Sequence, residues 1–211
     1  MADNYLEKKF EDYRAQCGKQ SHRSSQSLDK LLLRNRSHRG YDSKFVVRAD
    51  QLKRIIEVNT KIPSARNQQV LRFRAVTAEE AHKVLPHIRL GDALPELHLP
   101  FPGTEPNAFI IICSTVAESR YVSIDLGISA QSMLLKAAEI GLNGICIGAF
   151  DRDKIAAEFD LPLEPVLIIA IGKGIENIQL TEIGAEEEHN YYRNNGTHYV
   201  PKVRLDDLII K

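Results

Sequence analysis

The residues from Ser123 to Asp151 constrain the fold more than any other stretch, because they join an apolar helix to a following apolar strand. Between Ile124 and Ile140 the apolar residues fall on nearly every side of a helical wheel, with small residues between them. A helix that is apolar all round is expected to be buried. Gly141 can end it, and residues 143–147 then indicate a short inner strand. The strand ends at Gly148, where the missing side chain would let a flat group approach the backbone.

Composition limits the possible partners. A chain of 211 residues with 43% hydrophobic content can bury the core of one domain, or of one domain with an arm. Lys plus Arg and Asp plus Glu number 28 each, so no global field attracts nucleic acid. The longest apolar run, VLIIAI at 166–171, is too short to span a bilayer, and the N-terminus has no signal-like apolar segment. We therefore expect a protein without nucleic-acid or membrane partners.

The cysteines indicate a reducing compartment. Cys17, Cys113 and Cys146 form no C-x-x-C pair, and an odd number in a domain with an ample core favours free thiols in the cytoplasm. Cys113 and Cys146 lie in apolar, strand-like runs, which predicts that both are small core residues.

Apolar patterning divides the chain into an arm and a body. Residues 4–16 indicate an exposed amphipathic helix, and the Ser-rich segment after it indicates a linker, so residues 1–26 are predicted as an N-terminal helical arm and linker. Residues 27–211 are predicted as one domain. Its strands alternate with helices, which favours an α/β or α+β domain with a mixed sheet.

Local signals predict further elements of the body. Ser27 can cap a helix over 28–35 that turns Leu28, Leu31 and Leu32 inward, and Asp50 can cap a helix up to residue 62. Residues 77–85 are predicted as a short helix. The polar tail from residue 185 is predicted as an extended arm, and an arm at each end indicates a dimer whose copies embrace each other.

Basic residues gather after the first helix of the body. Their side chains and the hydroxyl of Ser37 are the donors that a phosphate monoester requires. The same segment could instead be a solvated basic loop, or a nucleic-acid patch, although Tyr41 alone offers stacking there. The basic side chains are Arg34, Arg36, Arg39, Lys44 and Arg48.

A second polar segment, IPSARNQQ at 62–69, is rich in groups that hydrogen-bond planar heterocycles. Taken alone it could be an ordinary turn. The loop over 86–106 contains five prolines, and long loops of this kind often line a site.

Two other patterns carry little weight. IGKGIEN at 171–177 begins G-x-G after a strand, but it lacks the third glycine of a dinucleotide-binding turn. His82, His87 and His98 do not have metal-ligand spacing, so no metal site is predicted.

Taken in order, several of these segments resemble the nitroreductase family of flavin-dependent oxidoreductases. The resemblance is carried by NRSHRGY, IPSARNQQ, Asp125 near the start of the long helix, GLNGICIGAFD, and an apolar strand ending in IGKG. It covers residues 28–211. It implies an α+β fold, a mixed central sheet flanked by helices, in an intertwined homodimer with FMN at the subunit interface.

The resemblance also implies roles for single residues. Three residues from one subunit would hold the FMN phosphate and ribityl chain, namely Arg36, Ser37 and Arg39. The pyrimidine side of the flavin would be met by Pro63, Ser64, Ala65 and Asn67 of the other subunit, with Asp125 among the cofactor-binding residues. The backbone behind the ring would come from Cys146, Ile147, Gly148 and Ala149.

The chain departs from the family pattern at three places. Asn35 stands where the family has a leading Arg, Val70-Leu71 replaces a Pro-Trp pair, and a second phosphate contact falls near His198.

The implied activity is hydride transfer from NAD(P)H to a nitroaromatic, a quinone or a related small-molecule acceptor, by a ping-pong mechanism. No protein side chain is expected to be catalytic, because the flavin carries the redox chemistry. Backbone amides at Gly148 or Ala149 could donate a hydrogen bond to flavin N5. Asn67 and Arg36 could donate to the N1 and C2 carbonyl region. The alternatives are a family member with a different reductive reaction, and a non-catalytic flavin-binding or interaction protein.

Overall fold

A central antiparallel sheet organises the computed structural model, which describes residue 9, residues 27–91 and residues 97–210. Within that part of the chain the sheet has the order β1, β2, β4, β3. Its strands are β1 (Leu71–Val76), β2 (Ala108–Ser114), β3 (Asn143–Ile147) and β4 (Glu164–Gly172). β2 and β4 pair directly, from Ala108 opposite Ile171 to Ser114 opposite Glu164. The two most apolar segments of the sequence therefore form the centre of the sheet.

Helices cover the sheet on both faces. They are α1 (Leu28–Arg34), α2 (Ala49–Ile56), α3 (Arg120–Glu139) and α4 (Arg152–Glu158), and 3-10 turns span Glu57–Thr60 and Ala65–Asn67. On one face α2 and α3 pack against alternate residues of the central strands, such as Ile110 and Ile169. On the other face Ile155 of α4 packs with Phe109 and Ile168. The α+β class is confirmed.

A second, smaller sheet follows β4. Parallel strands β5 (Asn177–Ile183) and β7 (Thr197–Val203) pair along their length, and β6 (Tyr192–Asn194) adds an antiparallel strand before the short helix α5 (Leu205–Leu208). The prediction of an extended arm from residue 185 is therefore wrong for β6 and β7. Asn195 and Gly196 both have positive φ, at 47° and 76°, as a two-residue hairpin turn requires. The Asn-Gly pair was the sequence signal for this hairpin.

In the described part of the chain, the four strands of the central sheet pair antiparallel. Apart from β5 and β7, a parallel bridge joins Ser37 to Gly144 at the edge strand β3. The mixed character predicted for the central sheet therefore comes, among the described residues, from this bridge.

Several local predictions need correction. Helix α2 begins at Ala49 with Arg48 as its N-cap, because Gln51 accepts a hydrogen bond from the Arg48 N–H at 3.0 Å; Asp50 is not the cap. Residues 77–85 form turns and 3-10 helices (Ala81–Lys83 and Leu85–His87), since Pro86 cannot continue an α-helix. Ser27 caps α1 as predicted.

The leucines of α1 were predicted to face inward, and this is wrong for the single chain. Leu28 is 60% exposed, Leu32 is 39% exposed and Leu31 is half-buried, and no residue of α1 is buried by the described part of the chain. The helix predicted over residues 4–16 and the arm over 1–26 lie outside the described residues, apart from residue 9.

None of the described helices has the length and apolarity needed to cross a bilayer.

Close packing at Gly144 gives a test of the fold. A Cβ on Gly144 would lie 2.6 Å from the Ala170 backbone oxygen and 2.7 Å from Leu134 Cδ2, whereas a Cβ on Gly148 meets no described atom within 4 Å. Overpacking of this kind costs about 1–3 kcal/mol. We expect Gly144→Ala to lower the free energy of unfolding of the flavin-free protein by that amount. Gly148→Ala, a few residues further along, is the matched control and should change it by less than about 0.5 kcal/mol. Urea titration measures both, and equal values for the two variants would contradict the packing.

Candidate cofactor site

The segment before Tyr41 is fixed against the edge of the central sheet. The His38 N–H donates to the Gly144 carbonyl at 3.3 Å, and the Tyr41 hydroxyl donates to the His38 carbonyl at 2.8 Å. Tyr41 is almost fully buried, and burial raises the pKa of its hydroxyl well above the usual value. This anchoring directs Arg36, Ser37 and Arg39 to one side of the sheet edge.

Those three residues line one cavity of about 290 Å³, here called the basic pocket. Its other walls come from distant parts of the chain. Gln131 and Leu134 belong to α3, and β7 contributes alternate residues. The remaining lining residues are Asn35, Ile178, Tyr191, His198, Val200 and Lys202. The structure thus brings together Arg36, Ser37, Arg39 and His198, four of the predicted site residues.

Sequence reasoning missed Lys202. His198, Val200 and Lys202 alternate along β7, so their side chains share one face of the strand. Period-two spacing from His198 was the signal that could have found it.

The basic pocket has unpaired buried donors. Among the described residues, Arg36 Nε, Arg39 Nε and His198 Nδ1 have no hydrogen-bond partner although each is buried. Buried polar groups are normally paired, so unpaired ones suggest a missing ligand. The Arg39 guanidinium is held in place by the Ser37 carbonyl at 3.3 Å and by the ring of Tyr191, 4.6 Å from its centroid.

Charge in the basic pocket comes from arginine and lysine. His198 is 3% exposed, and burial lowers its pKa, with Arg39 and Arg193 lowering it further. His198 is therefore neutral at pH 7, so it can donate one hydrogen bond through one ring nitrogen and accept one through the other. Burial also lowers the pKa of Arg36, but a guanidinium remains charged in proteins. The basic pocket thus suits an anion such as a phosphate.

A second cavity continues from the basic pocket along α3. This helix groove has a volume of about 320 Å³ and shares Gln131 and Leu134 with the basic pocket. Its walls are mainly small or apolar: Ser123, Leu126, Gly127, Ala130, Cys146 and Leu167. The two cavities together have the size and the mixed polarity of a small-molecule site.

Cys146 lies at this groove. Cys113 is buried, as predicted, but Cys146 is exposed, so its prediction as a core residue is wrong. In β3 its neighbours Ile145 and Ile147 face the core, and strand alternation turns Cys146 to the other face of an edge strand. Ile147 is buried, Gly148 is open to solvent, and the Ala149 carbonyl accepts the Arg89 N–H at 2.9 Å. The backbone at Gly148 is therefore accessible.

The third group of predicted residues lies elsewhere. Pro63 and Ser64 line a separate loop cavity of about 540 Å³, together with Asp125 and Ser129 of α3. At 100° per residue, Asp125 and Ser129 lie on the face of α3 opposite to Gln131 and Leu134. Within one copy of the chain, Pro63 and Ser64 therefore do not border the cavity that holds Arg36.

Asp125 organises this loop. Its carboxylate, 4% exposed, accepts hydrogen bonds from the Ser64 hydroxyl at 2.8 Å, the Ala65 N–H at 2.8 Å and Gln68 Nε2 at 3.0 Å. Burial alone would raise the pKa of Asp125, but these three donors together lower it. The loop it holds is strained, because Arg66, Asn67 and Gln69 have φ of 53°, 53° and 47°.

No group of three or more His, Cys, Asp and Glu side chains in the described part of the chain is arranged to hold a metal ion.

Comparisons with known proteins identify a family and a fold. The family model described as "Nitroreductase family" matches residues 32–173. No match to the chain is found among curated proteins. Among solved structures, an FMN- and NADPH-dependent nitroreductase from Sphingopyxis sp. strain HMH is similar, with a TM-score of 0.65 and 20% identity, over 88% of this chain and 98% of that one.

Two further solved structures have the same fold. A nitroreductase family protein from Streptococcus pneumoniae TIGR4 matches 88% of this chain and 100% of its own, with a TM-score of 0.63 and 16% identity. A protein from Exiguobacterium sibiricum 255-15, solved in complex with FMN, matches 73% of this chain and 91% of its own, with a TM-score of 0.59 and 19% identity.

The Asp125 clamp predicts a pH effect. Because the folded-state pKa of Asp125 is lowered, its stabilising contribution is present above the unfolded value of about 3.9 and is lost as the pH falls through the folded pKa. At pH 7 we expect Asp125→Asn to lower the free energy of unfolding by about 1.5–3 kcal/mol, the range for a charged hydrogen bond. Below pH 4 the difference from the wild type should shrink. Urea titrations at pH 7 and pH 3 measure it, and a constant difference would contradict the clamp.

Proposed function

Since this chain belongs to the nitroreductase family, we propose that it is an FMN-dependent oxidoreductase that transfers hydride from NAD(P)H to a nitroaromatic, quinone or related acceptor. The observation that carries this proposal is the set of unpaired buried donors in the basic pocket, next to an apolar groove. A ligand with a phosphate at one end and a flat apolar ring at the other would satisfy both.

In this proposal Arg36, Ser37 and Arg39 bind the phosphate end of FMN. The two guanidinium groups supply planar pairs of donors, and Ser37 supplies a hydroxyl. Neutral His198 donates one hydrogen bond, and Lys202 supplies a third cation, from the C-terminal region. Lys202 thereby provides the charge that His198 lacks.

The ring end of FMN would lie along the helix groove, over the backbone from Cys146 to Ala149. Gly127 and Gly148 have no described atom within 4 Å of the place where a Cβ would be, so nothing on these residues obstructs a flat group. The backbone N–H of Gly148 or Ala149 would donate to flavin N5.

Completion of this site requires a second copy of the chain. Pro63 and Ser64 line the loop cavity on the other side of α3, and Ala65 and Asn67 follow in the same loop, so we assign all four to the groove of the partner. There Asn67 would donate to the N1 and C2 carbonyl side of the ring. Asp125 would act indirectly, because its hydrogen bonds hold the strained conformation of the loop that contacts the partner's groove.

An exposed apolar surface supports the homodimer. On α3, Ile124 is 45% exposed and Tyr121 is also exposed, and α1 adds its outward leucines. Single chains rarely leave such a surface uncovered. We assign this surface to the interface between two copies.

FMN, when bound, accepts a hydride from a reduced nicotinamide and delivers electrons to an acceptor. The protein contributes position and charge: the basic pocket fixes the anionic end, and the glycine backbone leaves one face of the groove open. Donor and acceptor would use that face in turn, which gives ping-pong kinetics. Simultaneous binding of both substrates in steady-state data would contradict this order.

The absorbance of the purified protein tests the proposal. We expect a yellow protein, or a colourless one that takes up added FMN, that NADH or NADPH bleaches under anaerobic conditions and that an acceptor recolours. A yellow protein that neither nucleotide bleaches would instead indicate a non-catalytic flavin-binding role. A protein that refuses FMN would contradict the proposal.

Loss of a residue that binds the phosphate should weaken the binding of FMN but not that of riboflavin. We expect Arg39→Ala to raise the Kd of FMN at least tenfold, which is about 1.4 kcal/mol, because the phosphate loses a charged pair of donors. Riboflavin lacks the phosphate, so its Kd should stay unchanged. Lys44→Ala removes a cation of the same segment outside the basic pocket and is the control. Quenching of flavin fluorescence measures all of these, and an equal loss for both flavins would contradict the assignment.

A charge on the exposed face of α3 should separate the copies. Ile124→Glu would bury a carboxylate in the proposed interface, which is costly without a partner. We expect a monomer that has lost affinity for FMN, measured by sedimentation velocity and flavin titration. Val116→Glu changes an exposed apolar residue outside α3 and should stay dimeric. A monomeric wild-type protein that binds FMN tightly would rule out the shared site.

A further inference from the structure

The motif IGKGIEN contains a buried carboxylate that the proposed reaction does not use. Glu176 follows β4, and its side chain is 10% exposed. Burial of a carboxylate is costly unless it is paired and hydrogen-bonded. Its contacts therefore indicate what it does.

One oxygen of Glu176 binds the segment that carries Arg36, Ser37 and Arg39, and the other binds Arg193 of β6. One oxygen accepts the backbone N–H of Arg39 and, at 3.2 Å, that of Gly40. The other accepts the Arg193 guanidinium. His38 Nδ1 lies 3.9 Å away, and because burial lowers the pKa of His38, with Glu176 opposing that shift, the imidazole adds no full charge at pH 7.

The glycines of the motif allow this contact. A Cβ on Gly174 would lie 2.2 Å from His38 Nδ1, and one on Gly172 would lie 2.6 Å from Tyr41 Cδ1. Backbone hydrogen bonds then join the two segments, from the Asp42 N–H to the Lys173 carbonyl at 2.8 Å and from the Ile175 N–H to the Gly40 carbonyl at 3.2 Å. The G-x-G pattern thus serves close packing on the phosphate segment.

Glu176 does not itself line the basic pocket. It lines a neighbouring cavity with Gly40, Phe101 and Arg193, while Arg39 lines the basic pocket. The backbone N–H of Arg39 points to Glu176, whereas its guanidinium is held by Ser37 and Tyr191 on the other side. Glu176 therefore makes no contact with a ligand in the basic pocket and can position one only through Arg39 and its neighbours.

We propose that Glu176 is a positioning residue that fixes the backbone of Arg39 and Gly40, so that the Arg39 guanidinium meets the phosphate of a flavin mononucleotide. This inference rests on the proposed function. The motif that contains Glu176 would then contribute to cofactor affinity through a contact between two residues 137 positions apart in sequence.

The direction in which FMN binding changes when Glu176 is removed distinguishes a positioning role from simple charge repulsion. A negative charge near a phosphate repels it, so if Glu176 were a bystander its removal would tighten FMN binding. If Glu176 positions Arg39, its removal frees two backbone donors and loosens Arg39, and FMN binding weakens. Riboflavin has no phosphate, so positioning leaves its binding unchanged, whereas general damage to the fold weakens both flavins.

The experiment compares the Kd of FMN and of riboflavin for the wild type, Glu176→Ala, Glu176→Gln and Glu79→Gln. Glu79 is an exposed carboxylate that lines neither the basic pocket nor the cavity beside Glu176, so its variant makes the same change of charge away from both. We expect Glu176→Ala to raise the Kd of FMN about tenfold and to leave the Kd of riboflavin unchanged. Glu176→Gln keeps an oxygen acceptor for the two N–H groups, so its Kd for FMN should rise less. Thermal unfolding of each variant checks that it is folded.

Unchanged or tighter FMN binding in Glu176→Ala would overturn the positioning role, and so would equal weakening of FMN and riboflavin. If Glu176→Ala does not fold, Glu176→Gln carries the test, and weakening of FMN alone by at least twofold is then the expected result. A wild-type protein that binds neither flavin would overturn the proposed function, and the positioning role with it. If the wild type binds FMN and the Glu176 variants bind it equally well, the positioning role is wrong but the proposed function still stands.

Discussion

Helix α3 has apolar residues on two faces, and the central sheet can cover only one of them. Met133 and Ala137 pack into the core with the inner strands, while Ile124 and the groove beside Gly127 stay open. A second apolar face is stable in water only if something else covers it. In our account a flat cofactor and a second copy of the chain cover it together, so the packing of one helix links the fold to the proposed site.

The basic pocket is assembled from three regions that are far apart in sequence. The segment before Tyr41 brings the arginines, α3 brings Gln131 and Leu134, and β7 brings His198 and Lys202. The second sheet is what places β7 there, through parallel pairing with β5. A C-terminal segment predicted as an extended arm therefore forms one wall of the basic pocket.

Much of the fold was predictable, because runs such as 108–113 and 165–172 are too apolar to be anything other than inner strands. Local chemistry also located the basic segment and the loop at 62–69. The hairpin at Asn195-Gly196 and the position of Lys202 were predictable from turn chemistry and strand spacing, but were missed. The exposure of Cys146 and the contact of Glu176 with Arg39 depend on which strand lies at the sheet edge and on long-range packing, and single-residue patterns do not contain that information.

The most direct test of the central claim is a crystal structure of the protein with FMN. Our account predicts a phosphate within hydrogen-bond distance of Arg36, Ser37 and Arg39, and a ring along the groove of α3. It also predicts that the loop containing Ser64 and Asn67 of a second copy closes that ring. A phosphate bound elsewhere, or a ring enclosed by one copy alone, would contradict it.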